Sequence, residues 1–105
     1  MQAEELRDFI INKADDLKAR DIQVLDVQKK SDITDFLIVC TGTSNTHTRS
    51  IAGHIAVEAK SAGVPPISTE GETDGEWVLV DFGDVIVHVM QPETRDFYQL
   101  EKLWG

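Results

Sequence analysis

Three histidines are the residues of this chain most able to hold a metal ion, because imidazole nitrogens are frequent zinc ligands. His47 and His54 are seven residues apart near the predicted start of a helix, and His88 lies in a predicted strand. No cysteine or carboxylate accompanies them at the spacing of a zinc site. The sequence therefore predicts no metal site and no cofactor.

Ser44 and Cys40 are the side chains that could act as nucleophiles. Ser44 lies three residues before His47, a candidate base. However, a serine between a strand and a helix usually caps the helix, and its neighbours do not form a nucleophile elbow. Cys40, the only cysteine, lies in the apolar run FLIVCT without a base nearby in sequence. It is predicted to be buried and unreactive, and we predict no catalytic residue.

The turn formed by Gly42, Thr43 and Ser44 could hold a phosphate on the amides of a following helix. A Gly-Ser turn at this place is also found in nucleotidyltransferases. Those enzymes need a pair of metal-binding carboxylates on a neighbouring strand, and the later hairpin offers Asp81 alone. The pair is missing, so a nucleotide-binding or nucleotidyltransferase-type enzyme is kept only as the alternative function.

The balance of charge separates two classes of partner. The 105 residues include 10 Lys and Arg against 19 Asp and Glu, which gives a formal charge of −9. This charge repels phosphate backbones, so we predict no direct binding to DNA or RNA. It favours encounter with a basic surface, such as that of a ribosomal protein.

The compartment can also be inferred from composition. No apolar stretch approaches the roughly 18 residues that cross a bilayer, and residues 1–20 mix charges throughout, so neither a membrane role nor secretion is expected. A single cysteine excludes an intrachain disulfide and is typical of a reducing compartment. We therefore predict a cytoplasmic protein.

The hydrophobic pattern predicts one α/β domain over residues 1–105, with a mixed β-sheet and flanking helices. We expect a helix at 2–20, strands at 21–27 and 36–40, and a second helix that ends near Gly63. The all-apolar second strand should be the central one. A short strand at 67–69 and a polar loop at 70–75 should precede a hairpin at 77–90, and a last helix should run over 92–104.

The hairpin at 77–90 has two different faces if it turns at Gly83 and Asp84. One face would be a clean core, formed by Val78, Val80, Phe82, Val85, Val87 and Val89. The other would pair Trp77 with Met90 and Leu79 with His88, between Asp81 and Ile86. This second face, extended by Tyr98, is a candidate partner site. Alternatively, the last helix packs Leu100, Leu103 and Trp104 over it and buries it.

Three stretches carry a resemblance to a known family: DFLIVCTGTSNTH at 35–47, GEWVLVDFGDVIVHVM at 75–90 and RDFYQLEKLW at 95–104. Together they resemble the ribosomal silencing factor, or Iojap-like, family over nearly the whole chain. The resemblance implies a nucleotidyltransferase-like fold without catalytic residues. It also implies binding to large-subunit ribosomal protein fourteen, which would block joining of the large and small subunits and repress translation when nutrients are limiting.

Carried onto this chain, the family's partner-binding surface would fall on seven residues: Trp77, Leu79, His88, Met90, Tyr98, Leu100 and Glu101. Trp77 and Tyr98 are the expected anchors, because buried aromatic side chains often dominate an interface. Glu101 is expected to tune the association rate. A homodimer through the Trp77 face is a third hypothesis.

Overall fold

A computed structural model of the chain describes residues 1–104. One helix precedes the first two strands, a second helix precedes the last three, and two short helices follow the last strand. In chain order they are α1 (Ala3–Asp16), β1 (Arg20–Asp26), β2 (Phe36–Thr41), α2 (Asn45–Ser61), β3 (Ser68–Glu70), β4 (Trp77–Asp81), β5 (Val85–Met90), α3 (Pro92–Tyr98) and α4 (Leu100–Trp104).

The five strands form one mixed sheet in the order β1-β2-β5-β4-β3. β2 and β5 are parallel, and the other neighbours are antiparallel. The predicted α/β architecture with flanking helices is thereby confirmed. The predicted central strand is wrong, because β5 holds the middle of the sheet. β2 is nevertheless interior, and all six of its residues are buried.

The two long helices cover one face of the sheet. Leu6, Ile10 and Ala14 of α1 belong to one hydrophobic core with the buried stripe of α2. The strand residues that complete this core alternate along their strands, as a sheet with one face covered requires. They are Phe36, Ile38, Cys40, Val78, Val80, Val85, Val87 and Val89.

The first helix is shorter than predicted, because it ends at Asp16 instead of continuing to residue 20. Lys18 adopts a left-handed conformation with φ 59°, and its N–H donates to Asp15 O. The N–H of Ala19 donates to Ala14 O. These two bonds form a Schellman motif, which ends the helix and turns the chain into β1.

The predicted C-terminal helix is two helices in the structure. It starts at Pro92 as expected, but Gln99 has φ 50° and ψ 54°, which interrupts the helix between α3 and α4. The interruption turns Leu100 and Trp104 toward the sheet face that α1 and α2 leave uncovered, where they line one groove with Leu79 and Ile86.

The hairpin has the predicted register. Trp77 pairs with Met90 and Leu79 pairs with His88, and the N–H of Phe82 donates to Val85 O. β3 lies one residue later than expected, at Ser68–Glu70. At the other edge of the sheet, β1 is irregular between Arg20 and Gln23.

Candidate functional site

An aromatic cluster marks the uncovered face of the sheet. Trp77 at the start of β4 is half-buried, and its ring centroid lies 4.8 Å from that of Tyr98 on α3. Phe97 meets Tyr98 edge-on at 5.0 Å and is 74% exposed, while Tyr98 is 50% exposed. We call Trp77, Leu79, Phe97 and Tyr98 the aromatic face.

Backbone contacts fix the strand and the helix that carry this face. The N–H of Gln91, the N-cap of α3, donates to Glu76 O at 2.9 Å, so the start of α3 is tied to the residue before β4. The loop before β4 also passes very close to the strand. A Cβ on Gly71 would lie 2.0 Å from Trp77 O, and Gly71 has φ +85°. Only glycine fits at this approach.

His88 supports Trp77 from within the sheet. Trp77 Nε1–H donates to His88 Nδ1 at 3.0 Å, and the ring centroids are 5.8 Å apart. Because an indole N–H can only donate, Nδ1 is unprotonated and the proton of the neutral ring is on Nε2. Burial lowers the pKa of His88 to about 4, so the ring is neutral at pH 7.

An apolar groove opens beside the aromatic face, under α4. It has a volume of about 230 Å³. We call it the apolar groove, and its walls are Ser31, Ile33, Thr34, Leu37, Leu79, Ile86, His88, Leu100 and Trp104. On the other side of Leu79, a hollow of about 350 Å³ is lined by Glu70, Gly71, Trp77 and Leu79. Leu79 therefore forms a ridge between two depressions.

The remaining predicted contact residues differ in accessibility. Met90 pairs across the sheet with Thr41 on one side and Trp77 on the other. Because it is 0% exposed, it can pack beneath the aromatic face but cannot contact a partner directly. His88 is 8% exposed. Leu100 lines the apolar groove. Glu101 accepts a hydrogen bond from Arg95 Nε at 2.8 Å, so its carboxylate is engaged within the chain.

The C-terminal segment covers the sheet face only in part. Leu100 and Trp104 reach the apolar groove, but Leu103 is 74% exposed and points away. Arg95 holds this arrangement, because it bonds Glu101 of α4 and donates from Nη1 to Thr41 Oγ1 at 2.8 Å. The sheet face is therefore neither fully exposed nor fully buried by the last helix, as the two sequence alternatives had it. α4 covers part of it and leaves the rest exposed.

Two exposed apolar residues of this surface were not among the predicted site residues. Phe97 contacts Tyr98 edge-on, and Ile33 at the groove is 81% exposed. The available sequence signal for Phe97 was a Phe next to the predicted anchor Tyr98 in the predicted last helix. Ile33 lies in a polar loop, where alternation gives no information on burial.

The three histidines lie apart, each with its own partners. His47 Nδ1 accepts from Thr43 N–H at 2.9 Å, and its Nε2–H donates to Leu17 O at 2.7 Å. His54 Nε2 lies 3.0 Å from Asp16 Oδ2, and this contact lowers the pKa of Asp16. Within residues 1–104, no three His, Cys, Asp or Glu side chains are grouped to hold a metal ion.

The turn at 42–44 caps a helix. Ser44 Oγ accepts from His47 N–H at 3.1 Å, and Ser44 O accepts from Thr48 N–H. The N–H of Thr43 is bonded to His47, so three amides near the start of α2 are already engaged.

Cys40 is 0% exposed, and burial raises the pKa of its thiol to about 12. No helix within residues 1–104 is long and apolar enough to span a bilayer.

Comparison with known proteins identifies similar chains. Residues 1–105 match the family described as "Ribosomal silencing factor during starvation". A Chromobacterium violaceum protein named ribosomal silencing factor RsfS is 44% identical over 105 residues, which are 100% of this chain and 86% of that protein. A mouse protein named mitochondrial assembly of ribosomal large subunit protein 1 is 34% identical over 100 residues, which are 92% of this chain and 44% of that protein.

A solved structure has the same fold. The crystal structure of a protein from Chromobacterium violaceum superposes with a TM-score of 0.98 at 44% identity. The match covers 100% of this chain and 88% of that one. The similarity therefore extends over all the elements described above, including α3 and α4.

Proposed function

Because this chain belongs to the ribosomal silencing factor family, we propose that it binds the large ribosomal subunit through large-subunit ribosomal protein fourteen. Its bulk would then stand between the two subunits and prevent the small subunit from joining. The result would be lower translation when nutrients are limiting. This action requires binding alone, in the cytoplasm where subunits join, and no catalysed reaction.

The observation that carries the proposal is the aromatic face. The rings of Trp77 and Tyr98 are in contact, tilted at 51° to each other, and only partly buried, and they lie beside two depressions separated by Leu79. Partly exposed Trp and Tyr side chains next to apolar hollows are typical of interface anchors. α1 and α2 pack on the opposite face of the sheet, so a partner could approach this one without unfolding the core.

Charge supports a basic partner. The net charge is −9, and the acidic residues Glu70 and Glu76 border the aromatic face and its hollow. Acidic groups at a rim accelerate encounter with a basic protein, while they repel nearby RNA phosphates. The alternative nucleotide-binding function has less support, because hydrogen bonds within the chain already occupy amides at the turn before α2.

The test is binding of purified large subunits to the wild type and to Trp77→Ala and Tyr98→Ala. Removal of an aromatic anchor commonly costs about 2 kcal/mol or more, so each variant should bind roughly 30-fold more weakly. Sedimentation of the subunits with increasing protein gives the affinity directly. A crosslink from the bound wild type should identify protein fourteen as the neighbour.

Val57→Ala is the matched control. Val57 lies on α2, away from the sheet, and is 61% exposed. This variant should bind like the wild type, and circular dichroism should show all variants folded. If the wild type does not bind large subunits, or if folded Trp77→Ala and Tyr98→Ala bind unchanged, the proposal fails.

A joining assay tests the steric step. Protein added to separated subunits before magnesium-induced association should lower the joined fraction, and Trp77→Ala should not. Light scattering of the protein alone addresses the homodimer. A mass that rises with concentration in the wild type but not in Trp77→Ala would assign the aromatic face to self-association instead.

A further inference from the structure

The two ring nitrogens of His88 have different surroundings. Nδ1 accepts from Trp77 Nε1–H, so the ring proton is on Nε2. No acceptor within residues 1–104 bonds to Nε2. Every side-chain nitrogen of these residues that lacks a hydrogen-bond partner keeps some exposure to solvent, so a partner could reach Nε2. The ring also forms part of the wall of the apolar groove. His88 therefore contacts both the aromatic face, through Trp77, and the apolar groove.

The ring keeps this tautomer at neutral pH. The ionisable groups on the neighbouring strand β4 and on the two C-terminal helices are Asp81 on β4, Glu93, Arg95, Asp96 and Tyr98 on α3, and Glu101 and Lys102 on α4. Arg95 and Glu101 form an ion pair at 2.8 Å, and β2 contributes only Leu37, Val39 and Thr41 to this face. Burial lowers the pKa of His88, so Nδ1 stays an acceptor.

We propose that His88 is a positioning residue of this surface and selects what enters the apolar groove. Its Nδ1 fixes the indole edge of Trp77. Its Nε2–H donates to a main-chain carbonyl of a partner segment whose apolar side chain fills the groove. The role of Nε2–H rests on the proposed function, whereas the role of Nδ1 concerns the free protein.

Chemistry decides the kind of occupant. The groove walls are mostly aliphatic, with Trp104 at one end, so they favour an apolar side chain. A donor in such a site requires an acceptor, because an unpaired buried N–H is costly. A carboxylate is disfavoured next to a chain of charge −9. A main-chain carbonyl is an uncharged acceptor, and every apolar residue of a basic partner carries one.

Three substitutions separate the two nitrogens. His88→Asn places an amide oxygen near the position of Nδ1 and can still accept from Trp77. His88→Gln reaches further and can replace the Nε2–H donor, but it does not hold the indole. His88→Phe keeps an aromatic ring and removes both functions. Thermal unfolding of each variant establishes that it is folded.

The first readout is the indole N–H signal of Trp77 in an NMR spectrum of the free protein, assigned with Trp104→Phe. His88→Asn should keep a hydrogen-bonded signal that exchanges slowly with water. His88→Gln and His88→Phe should shift it and speed its exchange. If His88→Asn and His88→Phe give the same signal, the positioning role is overturned.

The second readout is the affinity for purified large subunits. Loss of either hydrogen bond should weaken binding roughly five-fold in His88→Asn and His88→Gln, and loss of both should weaken it roughly 25-fold in His88→Phe. Wild-type affinity in His88→Asn would overturn the donor role. If the wild type itself does not bind, the proposed function and the donor role both fail, while the indole signal still decides the positioning role.

Discussion

A single hydrogen bond places the largest side chain of the candidate site. Trp77 is held by His88 within the hairpin and by the ring of Tyr98 from α3. A side chain held in this way loses little conformational freedom when a partner binds, so less of the binding free energy is spent on ordering it. This restraint makes Trp77 better suited as an anchor than the more exposed Phe97.

Acid should destabilise the fold through His88. The unfolded histidine takes up a proton near its ordinary pKa of 6.5, whereas the folded one does so only near pH 4. Its contribution to the free energy of unfolding is therefore complete above pH 6.5 and is lost as pH falls toward 4. Between pH 7 and pH 5 the loss should be about 2 kcal/mol. Urea unfolding at the two pH values measures it.

His88→Phe isolates this contribution, because all other ionisable groups are shared with the wild type. The variant should lose about 2 kcal/mol less than the wild type over the same interval. The depressed pKa of Asp16 acts below its ordinary value of 3.8, outside this interval. Equal losses in the two proteins would contradict the assignment.

Alternation along the strands, together with a turn at Gly83 and Asp84, could place Trp77, Leu79 and His88 on one face, because successive strand residues point to opposite sides and the turn sets the register between the strands. It could not predict that Met90 is fully buried, since that depends on its neighbours Thr41 and Trp77 in the sheet. It could not predict the pairing of Glu101 with Arg95 either, because that contact requires the bend between α3 and α4.

Among the elements, the hairpin was the most predictable, since Gly83 and Asp84 fix its register through the turn. The ends of the helices were less predictable from the sequence. Lys18 and Gln99 both adopt positive φ, a conformation for which glycine is the usual sequence signal. Without that signal, both helices were predicted to continue past their ends.

Lys18→Gly should therefore stabilise the protein by about 0.5–1 kcal/mol, because glycine adopts the left-handed conformation of Lys18 without steric cost. Lys18→Ala is the control, since it removes the same charge but keeps a Cβ, and it should give no gain. Denaturant midpoints at constant m-value provide the measurement. A larger gain in the alanine variant would mean that charge, and not backbone strain, limits stability at this position.

At the scale of the whole molecule, the class of fold followed from composition and pattern, but the strand order did not. Both β2 and β5 are strongly apolar, and only the parallel pairing between them places β5 in the middle. That pairing depends on how α2 and the later hairpin pack, which no local pattern specifies.

The net charge of −9 should appear in the kinetics of association. With isolated ribosomal protein fourteen as the partner, the association rate should fall roughly ten-fold between 50 and 500 mM salt, because screening removes the attraction. Stopped-flow fluorescence measures this rate. The isolated protein is preferable to whole subunits, whose RNA would add an opposing repulsion. A rate that does not change with salt would exclude electrostatic steering.

The irregular first strand has a consequence for solubility at high concentration. β1 lies at one edge of the sheet, and an exposed sheet edge invites strand addition between copies of a protein. β1 blunts its edge with the irregularity between Arg20 and Gln23, the positive φ of Asp21 and charged residues at both ends. These features oppose the pairing of β1 with a strand of another copy.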